Sequence, residues 1–204
     1  MSAPPKTVLH AADTEAEAIR RAVRTVDVGA LGPGRVRADL GHVAGLVALL
    51  SDPQVSDPIY DLPRPIGEDS VTRWVAEAQA QALAGEGLLI LTLDGKGEVS
   101  GYSKITVWPE RASGELAGAM RADAQNRGQG GPGAAHTFGW MFETLGVRLI
   151  GLTAALDNIR SAKLIEAAGF VPMGEREAKR PDGSVRVSRY WELTRDQWRQ
   201  RHRL

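Results

Sequence analysis

The chain predicts an α/β (α+β) fold, and three observations predict it. Segments of strand and helix period follow one another in the order β-α-α-β-β-β-α-β-α-β-β. An Asp-Gly turn, DGKG at 94–97, joins two alternating apolar runs as a hairpin. A glycine-rich stretch, QNRGQGGPG at 125–133, links a strand to a helix.

The elements follow in order. MSAPP (1–5) predicts no regular structure, TVLHAA reads as a short strand, and DTEAEAIRRAVRTV reads as a helix. Asp13 or Thr14 would cap that helix, and acids fill its first turn, where they favour the helix dipole. The breakers GALGPG (29–34) end it, so residues 1–33 are expected as an N-terminal extension and 34–204 as one domain. RVRADL is a short strand, and HVAGLVALLSDP a helix expected to stop at Pro53. The proline-rich segment 54–68 reads as irregular. Asp69 or Ser70 would cap VTRWVAEAQAQALAG, which ends at Gly85.

Strands dominate next. GLLILTL and EVSGYSKITVW form the hairpin, and SGELAGAMRA is a third strand entering the glycine loop. AAHTFGWMFETLG is a helix closed by Gly146, VRLIGLTAAL an apolar strand, and NIRSAKLIEAAGF a short helix with a glycine stop. VPMGEREAKR and VRVSRYWEL flank the turn PDGS, and the polar tail TRDQWRQRHRL reads as a helix.

Composition sets bounds on function. At 204 residues with 43% hydrophobic side chains, the chain can bury a sizeable core. Its 25 basic and 25 acidic residues balance, which argues against nucleic acid or anionic membrane as a partner. The absence of cysteine removes disulfides, thiolate metal sites and a cysteine nucleophile. His10, His42, His136 and His202 show no metal spacing, so no metal is expected. With no apolar run of roughly 18 residues and no signal-peptide layout, the expected setting is the cytoplasm.

The glycine loop has the makings of a phosphate cradle. Such a site needs N–H groups turned one way at the positive end of a helix, with no Cβ in the path. Gly128, Gly130, Gly131 and Gly133 supply that freedom, and Pro132 suits a first helical turn. The P-loop lysine is missing. The spacing Gly128-x-Gly130-x-x-Gly133 matches the dinucleotide fingerprint but follows a late strand, which makes a dinucleotide oxidoreductase a distant third reading. On these nine residues alone, a plain structural turn competes with a phosphate site.

The loop has company. Gln125-x-x-Gly128-x-Gly130 has the form Q/R-x-x-G-x-G/A, and 30 residues after Gly128 comes Asn158, followed by Ser161 and Gly169-Phe170. This pair resembles the acetyl-CoA-binding core of the GNAT superfamily of N-acetyltransferases, and N-x-x-S…GF resembles its ribosomal-protein-alanine (RimJ/RimL-type) branch. The resemblance spans roughly 35–200. It implies a single-domain fold whose mixed central sheet has splayed parallel strands and helices on both faces. Strand 115–122 would part from 149–156 to admit the pantetheine arm of acetyl-CoA. Main-chain groups of Met120 and Ala122 would pair with that arm. Amides of Gln125, Asn126, Arg127, Gly128, Gln129, Gly130 and Gly133 would hold the diphosphate.

The resemblance also implies the chemistry. A primary amine, of a protein N-terminus or a small molecule, would attack the thioester directly in a ternary complex. Glu115 would act as base, and a Met120 amide would stabilise the thioester oxygen. Many members carry a tyrosine seven residues after the asparagine; Ile165 stands there, which shifts the acid role to Ser161. Asn158 would contact the pantetheine arm or fix the loop, and with Ser161 it joins the cofactor-binding set; a plain N-cap would look the same. Trp74 and Trp108 are candidates for the acceptor pocket, and a homodimer is the family-level expectation. The alternative is a non-catalytic acyl-CoA sensor.

Overall fold

The computed structural model describes residues 3–59, 61–124, 130–179 and 184–202. Helix α1, Asp13–Thr25, buries Ala16, Ile19 and Val23 at helical spacing, with Asp13 and Glu15 in its first turn and Arg24 in its last. A 3-10 turn, Val28–Leu31, leads to β1, Arg35–Arg37. Then come α2, Val43–Leu50; α3, Pro53–Ser56; and α4, Glu68–Ala84. The strands β2, Gly87–Leu93, β3, Val99–Trp108, and β4, Ser113–Met120, form an antiparallel meander. Helix α5, Gly130–Trp140, continues through a π turn, Met141–Leu145. It stops at Gly146, whose φ of 81° suits a residue with no Cβ. The chain finishes with β5, Leu149–Ala155; α6, Ile159–Ala167; β6, Val171–Lys179; β7, Val185–Thr194; and α7, Arg195–His202.

The seven strands make one mixed sheet in the order β1-β2-β3-β4-β5-β7-β6. Because strand side chains alternate, each strand feeds both faces. Leu88, Ile90, Ile105, Ile150, Trp191 and Leu193 meet α1, α5, α6 and α7 through Ile19, Phe138, Phe142, Ile165 and Trp198. On the other face Leu89, Leu91 and Tyr102 meet α2 and α4 through Leu46, Leu50, Val71 and Trp74. Ile19, Val23, Val28 and Leu31, all within 1–33, are part of the first core.

Several local expectations change. TVLHAA forms no strand, because most of its bonded main-chain groups go to side chains: Thr7 N–H donates to Glu192, and Arg111 and Arg148 donate to the carbonyls of Thr7 and His10, while Ala11 N–H donates to Glu110 O. The residue before α1 is Ala12, with no side-chain cap, and Asp13 is the first helical residue. Pro53 stops α2 but also starts α3, where its missing N–H is no loss and Asp52 accepts from the Gln54 N–H. Gly67, not Asp69 or Ser70, precedes α4; Ser70 sits inside the first turn, accepts from Gly67 N–H and donates to Pro65 O.

Candidate functional site

Strands β4 and β5 run parallel for three residue pairs, Ser113↔Leu149, Gly114↔Ile150 and Glu115↔Gly151. There the register ends. β4 continues with β3 to Gly101↔Met120, and β5 continues with β7 to Ala155↔Ser188. A gap therefore opens in mid-sheet between 116–120 and 152–155. Backbone groups lining such a gap need partners, which an extended ligand rich in amides can supply. The parting begins one residue after Glu115, within the strand where the resemblance implies it, although that strand runs over Ser113–Met120 and not 115–122.

Glu115 stands at the closed end of this gap and is buried. Register puts it in one row with Gly151 and Glu192, the latter on β7. Two strand spacings separate the carboxylates, roughly 10 Å at about 4.8 Å each. Between them Gly151 leaves room for the Tyr190 ring: a Cβ on Gly151 would stand 2.6 Å from the Tyr190 hydroxyl. That hydroxyl donates to Glu192 at 2.7 Å and accepts from Lys6 N–H at 3.2 Å, and Thr7 N–H donates to the same Glu192 oxygen at 3.0 Å. The Arg176 guanidinium lies over the Tyr190 ring, 4.6 Å from its centroid. Burial pushes the Glu192 carboxyl up, but the hydrogen bonds from Thr7, Tyr190 and Lys6 outweigh it and hold it below its ordinary value. Burial, with the neighbouring carboxylate, raises the Tyr190 hydroxyl.

A cleft beside Glu115 is lined by Trp108, Gly151, Arg176 and Tyr190 and closed by Ala3 and Pro5. Trp108 thus belongs to this neighbourhood. Trp74 does not: it packs edge-on against Tyr102 in the second core, ring centroids 5.4 Å apart. Tyr190, Glu192 and Arg176 escaped the sequence reading. For Tyr190 and Glu192 the signal was the alternation in RYWEL, which sends them to the face opposite Trp191 and Leu193.

At the open end of the gap, Met120 is the last residue of β4, in register with Gly101, and Ala122 begins a 3-10 turn, Ala122–Ala124. Arg121 fastens this corner through its N–H to Ser100 O at 2.8 Å and its guanidinium to Asp123 and Asp94 at 2.8 and 3.4 Å. Gln125, Asn126, Arg127, Gly128 and Gln129 lie outside the described residues. Gly130 is the first residue of α5, so Gly130 and Gly133 both fall at the positive end of a helix. A Cβ on Gly133 would meet open space.

After β5, Asn158 caps α6: its Oδ1 accepts from Ser161 N–H at 3.0 Å. Ser161 is partly buried. Ala155 lies four residue steps along β5 from Gly151, roughly 13 Å at about 3.3 Å per residue. The structure therefore places Glu115 and Met120 at opposite ends of one gap, with Asn158 and Ser161 beyond its open end. His136, Arg160 and Lys163 are exposed.

Among the described residues no helix is long and apolar enough to cross a membrane, and no cluster of His, Asp and Glu has the makings of a metal site.

Comparison with known proteins agrees with this architecture. The ribosomal-protein-S5-alanine acetyltransferase from Vibrio fischeri superposes with a TM-score of 0.68 at 14% identity, covering 80% of this chain and 93% of that one. AAC(6')-Ib in complex with ribostamycin and coenzyme A superposes at 0.65 and 18% identity, covering 81% and 95%. An acetyltransferase of the GNAT family from Streptococcus pneumoniae gives 0.56 and 18%, covering 78% and 98%. These likenesses show the fold. Among curated proteins no sequence matches. The family model described as Acetyltransferase (GNAT) domain matches residues 36–171, more than half of the chain. The chain therefore belongs to the GNAT acetyltransferase family, enzymes whose cosubstrate is acetyl-CoA.

Proposed function

We propose that this protein transfers the acetyl group of acetyl-CoA to a primary amine, of a protein N-terminus or a small molecule, by direct attack in a ternary complex. The observation that carries this reading is the parting of β4 and β5 immediately after a buried carboxylate, Glu115. Acetyl-CoA, when bound, supplies the activated thioester. The chain's residues do the rest.

Glu115 accepts a proton from the acceptor ammonium through water, leaving a neutral amine to attack. The N–H of Met120 donates to the thioester oxygen, where negative charge grows as the bond forms. As the new C–N bond replaces the C–S bond, Ser161 passes its hydroxyl proton to the leaving sulfur and is reprotonated, through water, by the proton that the nitrogen sheds on becoming an amide. Asn158, by capping α6, fixes the turn that carries Ser161. The absence of cysteine excludes a cysteine-bound acetyl group, so holding both substrates in position supplies much of the rate gain. Main-chain groups of Met120 and Ala122 pair with the pantetheine arm, and residues 125–130 with Gly133 hold the diphosphate.

The test is release of free CoA thiol from acetyl-CoA in the presence of an amine panel, beside direct titration of acetyl-CoA. Amine-dependent thiol release supports the proposal; failure to bind acetyl-CoA overturns it.

A further inference from the structure

Residues 3–10 lie as a strap on the sheet face that carries Glu115, and the way they are held is unusual. Their anchors are main-chain atoms. Arg176 donates to Ala3 O at 3.1 Å and Pro4 O at 2.6 Å. Arg111 donates to Pro5 O at 2.7 Å and Thr7 O at 3.2 Å. Lys6 N–H donates to Tyr190, and Thr7 N–H to Glu192. The Lys6 ammonium adds bonds to Met173 O and Glu175 O, both at 2.9 Å.

The strap's side chains contribute little burial. Among residues 3–8 Pro5 is buried, whereas Lys6, Thr7 and Val8 face solvent, Val8 with 59% of its surface exposed. The next element is different in kind: α1 sinks Ile19 and Val23 into the main core. Apolar burial holds α1 firmly, while the strap is held by hydrogen bonds, four exposed and four partly buried, that water can replace once it lifts. The strap can therefore leave while α1 stays.

Its position gives that departure a consequence. Ala3 and Pro5 close the cleft shared by Trp108, Glu115, Arg176 and Tyr190. With the strap docked, the free volume of the cleft is about 0 Å³. Pockets that hold organic ligands run to roughly 300–1,000 Å³. An amine with any substantial body does not fit beside Glu115 until the strap moves.

We infer that residues 3–7 are an intrasteric occupant of the acceptor side of the site: docked, they shut the approach to Glu115, and displaced, they open it. The inference rests on the reading that Glu115 faces the acceptor. It places control of acceptor entry in this chain's own N-terminal segment.

The experiment compares the full chain with a variant lacking residues 1–7, using a bulky amine acceptor. Circular dichroism and melting check the fold, and calorimetry measures acetyl-CoA affinity. The expected result is a kcat/KM for the amine about tenfold higher in the truncated variant, with acetyl-CoA affinity unchanged within about twofold. A synthetic peptide of residues 2–10 added to it should inhibit competitively against the amine and not against acetyl-CoA. A second variant, A3C/R176C, keeps the test open if truncation unfolds the chain; there is no native cysteine to interfere. Bridged by a reducible bismaleimide, it should lose at least tenfold in turnover and regain it on reduction. Transfer that is indifferent to both truncation and bridge overturns the strap's role and leaves acetyl transfer standing. Acetyl-CoA binding without transfer in any form overturns the acceptor-site reading, and the strap's role with it.

Discussion

The Tyr190 hydroxyl lies only 2.6 Å from where a β-carbon on Gly151 would stand, too close for one to fit. Gly151 is also the residue in register with Glu115 on one side and Glu192 on the other. One missing methyl thus lets an aromatic ring settle between two buried carboxylates. Gly151→Ala should force the ring or the strand aside, at a cost of about 1–3 kcal/mol for overpacking. For a chain of this length each kcal/mol lowers the melting temperature by roughly 2–4 °C. Adding Tyr190→Phe removes the nearest clashing atom, so calorimetry on the double variant should show part of the loss restored.

Glu115→Gln removes the proposed proton acceptor while keeping the shape of the side chain. Turnover should fall by about 10²–10⁴-fold, the usual worth of a positioned base. Acetyl-CoA affinity, read by calorimetry, should stay put. Turnover at the native level would take the base role away from this residue, and the same outcome for Ser161→Ala would take away the acid.

Asn158 offers a way to separate capping from ligand contact. Asn158→Ala removes the acceptor for Ser161 N–H and should cost about 1 kcal/mol of stability, as cap losses do. Asn158→Ser retains a good cap and should melt close to the native protein. If acetyl-CoA affinity falls equally in both variants, Asn158 touches the ligand; if affinity follows stability, its work is structural.

Acid should loosen the strap. Glu192 titrates below its ordinary 4.5 in the folded chain, held there against burial by Thr7, Tyr190 and Lys6, with the Arg176 guanidinium over the Tyr190 ring. A carboxyl depressed in the folded state contributes stability above its unfolded pKa and loses it as pH falls through the folded one. Melting temperature should therefore hold above pH 4.5 and drop below it. Glu192→Gln, measured across the same range, should flatten that drop.

Much of the fold was legible locally. The alternation in GLLILTL and EVSGYSKITVW with an Asp-Gly turn specified β2 and β3, and the left-handed stops at Gly85 and Gly146 specified two helix ends. Asn158 and Ser161 share one capping turn, so spacing alone placed them together. What escaped was long-range. The strap's main-chain groups bond to Tyr190 and Glu192 some 184–185 residues away, and no local pattern announces such partners. TVLHAA looked like a strand because its composition suits extended chain; it bends at Thr7, and its main-chain groups go to side chains and, at Ala11, to Glu110 O. Pro53 misled for a related reason, since a proline that ends one helix is also well suited to begin another.

The parting of β4 from β5 also changes what kind of object the sheet is. Three rungs join a four-strand panel, β1 to β4, to a three-strand panel, β5, β7 and β6. A molecule lying in the seam and bonding to both margins would act as a rivet, adding rungs that the polypeptide leaves out. Its binding energy then appears as mechanical continuity across the sheet, and stabilisation grows with ligand concentration. Amide hydrogen exchange at 116–120 should slow on saturation with acetyl-CoA, whereas the β2–β3 ladder should exchange as before.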